Sequence, residues 1–212
     1  MLNKLQYISQ GTTAKEQERN ICEALDAGCK WIQLRFKNAS YDELMPLAAT
    51  IKKRCDSYGA TYIINDNPDL AKQVDASGVH LGLKDMPIEQ AKKIVGDKII
   101  GGTANTLQQV LQRVQEGCSY VGLGPLRFTT TKEKLSPILG FEGYTHIIDT
   151  LHEKHIQMPL YAIGGIIMED IETLMQIGLH GIAVSGTITH ATDKRLIIQQ
   201  FNSFLDKKRE LV

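Results

Sequence analysis

Short runs rich in β-branched and aromatic residues alternate along the chain with longer runs in which apolar residues recur every three or four positions. The first pair is LQYIS (residues 5–9) followed by AKEQERNICEALDAG (14–28). The short type repeats at 31–36, 61–66, 78–82, 98–103, 120–125, 159–165 and 181–186. The long type repeats at 40–59, 67–74, 87–96, 106–117, 143–155, 168–178 and 193–208. In 14–28, Ile21, Ala24 and Leu25 share one helical face and Gly28 stands where a left-handed cap ends a helix. In 106–117, Thr106 is placed to cap, and Leu107, Val110, Leu111 and Val114 form one stripe. Gly59, Gly96, Gly117 and Gly178 close their helices as Gly28 does. The strand assignments rest on length, on β-branched and aromatic content, and on flanking Gly and Pro.

Strands separated by helices must run parallel, and eight such units can close into a (β/α)8 TIM barrel. No linker or composition shift interrupts the series, so residues 1–212 read as one barrel domain. An open doubly wound sheet is the alternative. It calls for a glycine-rich nucleotide turn after the first strand, and SQGTTAKE lacks that fingerprint.

Composition narrows the classes. Lys plus Arg and Asp plus Glu number 24 each, a formal net charge of zero, which argues against non-specific nucleic-acid binding. With 42% apolar and 23% charged residues the chain is not a disordered one. The four cysteines have no zinc-ligand spacing and read as free thiols of a reducing compartment. MLNKLQYISQ lacks the apolar run of a signal peptide, and no apolar run is long enough to span a membrane, so the expected location is cytoplasmic.

In a barrel the active site lies at the C-terminal strand ends, so the residues there carry the chemistry. In WIQLRFK, Ile32, Leu34 and Phe36 alternate with Gln33, Arg35 and Lys37, which places the latter three toward the mouth. Two cations there either sit on a solvated edge or bind an anion such as phosphate or pyrophosphate. Asp66 follows Asn65 at the third strand end, and Asp85 lies just beyond the fourth. Each precedes a proline-led helix start and can be a cap; alternatively the two meet at the mouth and hold Mg2+ with few protein oxygens. Thr103 offers a hydroxyl after Gly101 and Gly102. The sixth strand leads into a loop of no periodicity, 126–142, containing Thr129, Thr130, Thr131 and Lys132, which suits either a phosphate-binding lid or a plain polar loop. Glycine-rich turns at Gly164-Gly165 and Ser185-Gly186 match the recurring phosphate site after barrel strands seven and eight. Of six histidines only His80 falls in a strand, and no nucleophile constellation is present.

QLRFK, IIND, GVHLGLKDMP, GLGP with TTTK and LG, AIGGI and the turn after the eighth strand together resemble the thiamine phosphate synthase family. The motifs occur in that family's order from residue 31 to about 193. The resemblance implies a transferase that joins 4-amino-2-methyl-5-hydroxymethylpyrimidine diphosphate to 4-methyl-5-(2-phosphoethyl)thiazole. The products are thiamine monophosphate and pyrophosphate, formed by a dissociative, carbocation-like substitution. It implies that Gln33, Arg35, Lys37, Asn65 and Thr103 bind the pyrimidine diphosphate and that Asp66 and Asp85 hold Mg2+. It further implies that Thr129, Thr130 and Thr131 contact the thiazole phosphate, Lys132 the diphosphate, and Gly165, Ser185 and Gly186 the thiazole phosphate. Arg35, Lys37 and Lys132 would carry the catalysis, and a homodimer is implied as well. The chain departs from the family pattern at Leu83, where glutamine is usual, and at Gly186, where serine is common. A thiazole tautomerase of the same fold is an alternative, but it expels no pyrophosphate and needs no such set of cations and acids. A sugar-phosphate epimerase would want metal-binding histidines, and a non-catalytic thiamine-phosphate-binding protein would tolerate loss of the acid pair.

Overall fold

Each short run folds as a strand and each long run as a helix. The computed structural model describes residues 2–128 and 137–206. The strands are β1 (Leu5–Ile8), β2 (Trp31–Leu34), β3 (Thr61–Asn65), β4 (Gly78–Leu81), β5 (Ile99–Ala104), β6 (Tyr120–Leu123), β7 (Leu160–Ile163) and β8 (Gly181–Val184). The helices are α1 (Ala14–Asp26), α2 (Tyr41–Ser57), α3 (Pro68–Gln73), α4 (Ile88–Val95), α5 (Leu107–Gln115), α6 (Gly140–Glu153), α7 (Ile171–Ile177), α8 (Gly186–Thr189) and α9 (Lys194–Asp206). All neighbouring strands are parallel, and β1 pairs with both β2 and β8, so the sheet closes into a barrel. The open-sheet alternative is thereby excluded.

Local chemistry sets the helix starts. Thr13, Asn67 and Thr106 accept backbone N–H groups from Glu16, Leu70 and Gln109, and Ser40 forms a reciprocal capping box with Glu43. Three elements differ from expectation. α6 begins at Gly140 rather than 143. Gly140 and Gly143 weaken its first turn as a helix signal, but Leu139 and Gly140 N–H groups donate to Pro125 and Leu126 carbonyls and start the helix from outside. The run 168–178 divides into a 3-10 turn, Met168–Asp170, and α7. α8 has four residues, too few for a period to register in the sequence.

The alternation in β2 sorts the core into two shells. Ile32 and Leu34 pack outward against the helices, while Trp31 packs inside the barrel with Ile63, Tyr120, Tyr161, Ile163 and Ala183. Trp31 meets Tyr120 and Tyr161 edge to face, each with ring centroids 5.0 Å apart. Room for Tyr120 comes from Gly101, where a Cβ would lie 2.2 Å from the phenol Cζ. The Tyr161 hydroxyl donates to Asn3 O at 2.6 Å, which closes the floor. Outside the barrel, Cys29, Cys55 and Cys118 are buried free thiols, and burial pushes Cys29 and Cys118 up to about 11. Among the described residues no helix is long and apolar enough to cross a membrane.

Trp31 is the chain's one tryptophan and is fully buried. Trp31→Ala should leave a cavity in the barrel interior and lower unfolding free energy by about 3–5 kcal/mol in urea titrations followed by circular dichroism.

Candidate active site

β2 ends at Leu34, so Arg35 and Lys37 leave the ladder at the rim. The Arg35 backbone is fixed from two sides. Its N–H donates to Ser9 Oγ at 2.9 Å, and its carbonyl accepts from the buried Gln17 amide at 3.2 Å. The next strand brings Asn65 and Asp66 to the same height. Gln33 Nε2 donates to Asn65 Oδ1 at 2.8 Å, and Gln33 Oε1 is buried with no partner among the described residues.

Asp66 gathers the charges. Its backbone N–H continues the β3–β4 ladder by donating to His80 O at 2.9 Å, and its φ is +64°, a left-handed conformation that Asp and Asn tolerate better than most residues. Lys37 Nζ stands 3.7 Å from its carboxylate, and Arg35 lies close enough to interact electrostatically. Burial, then a hydrogen bond and charge repulsion from Asp85, push the Asp66 carboxyl up to about 6 despite both cations. Neither acid is a helix cap: Asn67 caps α3, and Asp85 Oδ2 accepts Gly82 N–H at 2.6 Å within the β4–α4 turn. A cavity of about 450 Å3 opens beside Lys37, Asn65 and Asp66.

The arc continues through β4 and β5. His80 Nε2 pairs with Thr103 Oγ1 at 3.0 Å, and His80 Nδ1 with the Tyr120 hydroxyl at 3.1 Å. Gln6 Nε2 donates to that same hydroxyl at 3.1 Å, so Gln6, Tyr120, His80 and Thr103 form one hydrogen-bonded chain from the barrel interior to the rim. Arg113 ties the ends of both strands from outside, donating to Thr103 O at 3.2 Å and Gly82 O at 3.1 Å.

Across the barrel, β7 and β8 end in backbone rather than charge. Gly164 and Gly165 take φ of +86° and +74°. Ser185 Oγ is buried without a partner among the described residues, and the space where Gly186 would carry a Cβ has no atom nearer than 3.5 Å. Thr187 Oγ1 donates to Ile166 O at 2.7 Å and joins the two turns.

Thus Gln33, Arg35, Lys37, Asn65, Asp66, Asp85 and Thr103 line one arc of the rim from β2 to β5, and Gly165, Ser185 and Gly186 lie on the β7–β8 side. Thr129, Thr130, Thr131 and Lys132 lie outside the described residues. Gln6, Ser9, Gln17, Tyr120 and Arg113 were not singled out from the sequence. Arg113 alone left a signal there: a cation beside Val110 and Val114 on the buried side of α5.

Residues 5–188 match the family model described as thiamine monophosphate synthase. A thiamine-phosphate synthase of Flavobacterium johnsoniae is 56% identical over 206 residues, covering 97% of each chain. One of Bacteroides thetaiotaomicron is 47% identical over 190 residues, covering 89% of this chain and 91% of the other. The solved thiamine phosphate pyrophosphorylase of Pyrococcus furiosus superimposes with a TM-score of 0.84 at 32% identity, covering 95% of each chain.

The raised Asp66 carboxyl makes a pH prediction. An acid whose folded value exceeds its unfolded 3.8 keeps its proton longer in the native state, so stability falls as pH rises from about 4 to 6 and the loss persists above. Asp66→Asn, which also suits the left-handed backbone, should melt higher than wild type at pH 7–8 without divalent cation and show no advantage at pH 4.

Proposed function

The chain belongs to the thiamine monophosphate synthase family and is a transferase of that family, and on that premise we propose how its rim divides the work. The β2–β5 arc binds 4-amino-2-methyl-5-hydroxymethylpyrimidine diphosphate. The β7–β8 turns bind the phosphate of 4-methyl-5-(2-phosphoethyl)thiazole. The observation that carries this reading is the convergence of Lys37, Arg35 and Asp85 on the half-buried Asp66, across the barrel from a glycine turn and an unpartnered serine hydroxyl.

Two acids pressed together in a partly dry site fit a hard divalent cation, which needs few protein oxygens when a diphosphate supplies the rest. Among the described residues there is no group of three or more His, Cys, Asp or Glu suited to a metal. Asp66, hydrogen-bonded to Asp85, forms with it the acid pair that would hold Mg2+. The ion would supply positive charge beside the leaving diphosphate.

In the coupling, the C–O bond between the pyrimidine methylene and the diphosphate breaks, and its electron pair stays with the diphosphate oxygen. The thiazole nitrogen lone pair forms the new C–N bond. No proton moves in that exchange. Arg35 and Lys37 meet the charge that grows on the diphosphate, and Lys132 adds a third cation. Thr103, paired with His80, offers its hydroxyl to the pyrimidine. Thr129, Thr130 and Thr131 with Gly165, Ser185 and Gly186 hold the acceptor in line.

One incubation tests the reading: pure protein with both substrates, with and without Mg2+, assayed for pyrophosphate and thiamine phosphate. Equimolar products that require Mg2+ are expected, and their absence with Mg2+ present would overturn the reading. Asp66→Asn and Lys37→Ala should each lose roughly 100-fold or more in kcat while staying folded. Mg2+ should raise the melting temperature of wild type but not that of Asp66→Asn.

A further inference from the structure

The turn after β7 is gripped from one side by a residue that the scheme above leaves out. Segment 125–127 leaves β6 alongside 163–165 and extends the ladder past both strands. Leu126 N–H donates to Ile163 O at 3.0 Å and Arg127 N–H to Gly164 O at 3.3 Å. The Arg127 side chain takes the next carbonyl, Nη1 donating to Gly165 O at 2.5 Å. A trans peptide holds its N–H opposite its C=O, and among the described residues the cis bond is at Gly124–Pro125. With both glycine carbonyls facing Arg127, the N–H groups of Gly165 and Ile166 turn away from it. Among the described residues neither donates to a backbone carbonyl.

The guanidinium is itself held. Nη1 and Nη2 fork onto Oδ2 and Oδ1 of Asp170 at 2.6 Å each. Asp170 is buried and also accepts Ile167 N–H at 2.8 Å. The fit is close, since a Cβ on Gly165 would lie 2.5 Å from Arg127 Cγ and one on Gly164 2.6 Å from Pro125 Cβ.

We propose that Arg127, held by Asp170, is a positioning residue that aims the Gly165 and Ile166 N–H groups at the acceptor's phosphate. This rests on the assignment of that turn to the thiazole phosphate. Nη1 is committed to Asp170 and Gly165 O and Nη2 to Asp170, so the side chain is anchored on the turn and acts through its backbone. Lysine keeps the charge and loses the fork, which makes the proposal testable.

The experiment measures initial rates of wild type, Arg127→Lys and the double variant Arg127→Ala/Asp170→Asn, varying each substrate in turn. The double variant removes a buried carboxylate together with its cation and so avoids stranding a charge; circular dichroism melting confirms that it folds. KM for the thiazole phosphate should rise roughly 10- to 100-fold in both, with KM for the pyrimidine diphosphate unchanged. A wild-type thiazole phosphate KM in Arg127→Lys overturns the proposal, as does an equal rise in both KM values. If wild type itself makes no product, the function assigned above falls. The grip is then read by calorimetry with inorganic phosphate: weaker binding by Arg127→Lys sustains it, and equal binding overturns it.

Discussion

A closed ring of eight parallel strands has an interior that must be filled, and filling it with rings decides where charge can go. Trp31, Tyr120 and Tyr161 pack edge to face across the barrel axis and leave no place for a lone ion. The polar side chains above them pair with one another: Gln6 with Tyr120, Gln33 with Asn65, His80 with Thr103. Arg35, Lys37, Asp66 and Asp85 all come after the end of a strand, beyond the plug. The dry floor thus concentrates the ionic chemistry at one end.

The two sides of that end solve different problems. The β2–β4 side is built from charged side chains and carries a cost in the free protein. Asp66 sits in a left-handed conformation, and its carboxyl is raised by burial and by Asp85. Strain and unfavourable charge of this kind are usual where a site is built for a partner rather than for stability. The β7–β8 side is built from backbone. There Gly164 and Gly165 turn the chain, the Ser185 hydroxyl has no partner among the described residues, and Arg127 is turned onto Asp170.

Strand-helix alternation, the direction of Gln33, Arg35 and Lys37, and the glycine turns were legible because each is a local pattern, repeating every two or four residues or marked by one residue type. The motif containing Lys132 is legible as a motif and lies outside the described residues. Capping a helix and meeting at the mouth both suit an acid before a proline-led helix, so local pattern does not separate them for Asp66 and Asp85. The fold resolves it through Asn67, which takes the cap, and through Gly82 N–H, which takes Asp85.

The order of elements, their faces and the family were set by the sequence alone, since hydrophobic period, turn chemistry and motif order need no knowledge of distant contacts. Only the folded chain decided the supporting shell. Arg113 reaches a carbonyl 31 residues away, Arg127 a carboxylate 43 away, and Gln6 a phenol 114 away. No periodicity encodes such pairs. They exist because barrel closure brings remote strand ends within hydrogen-bond distance, where a buried polar group must find a partner.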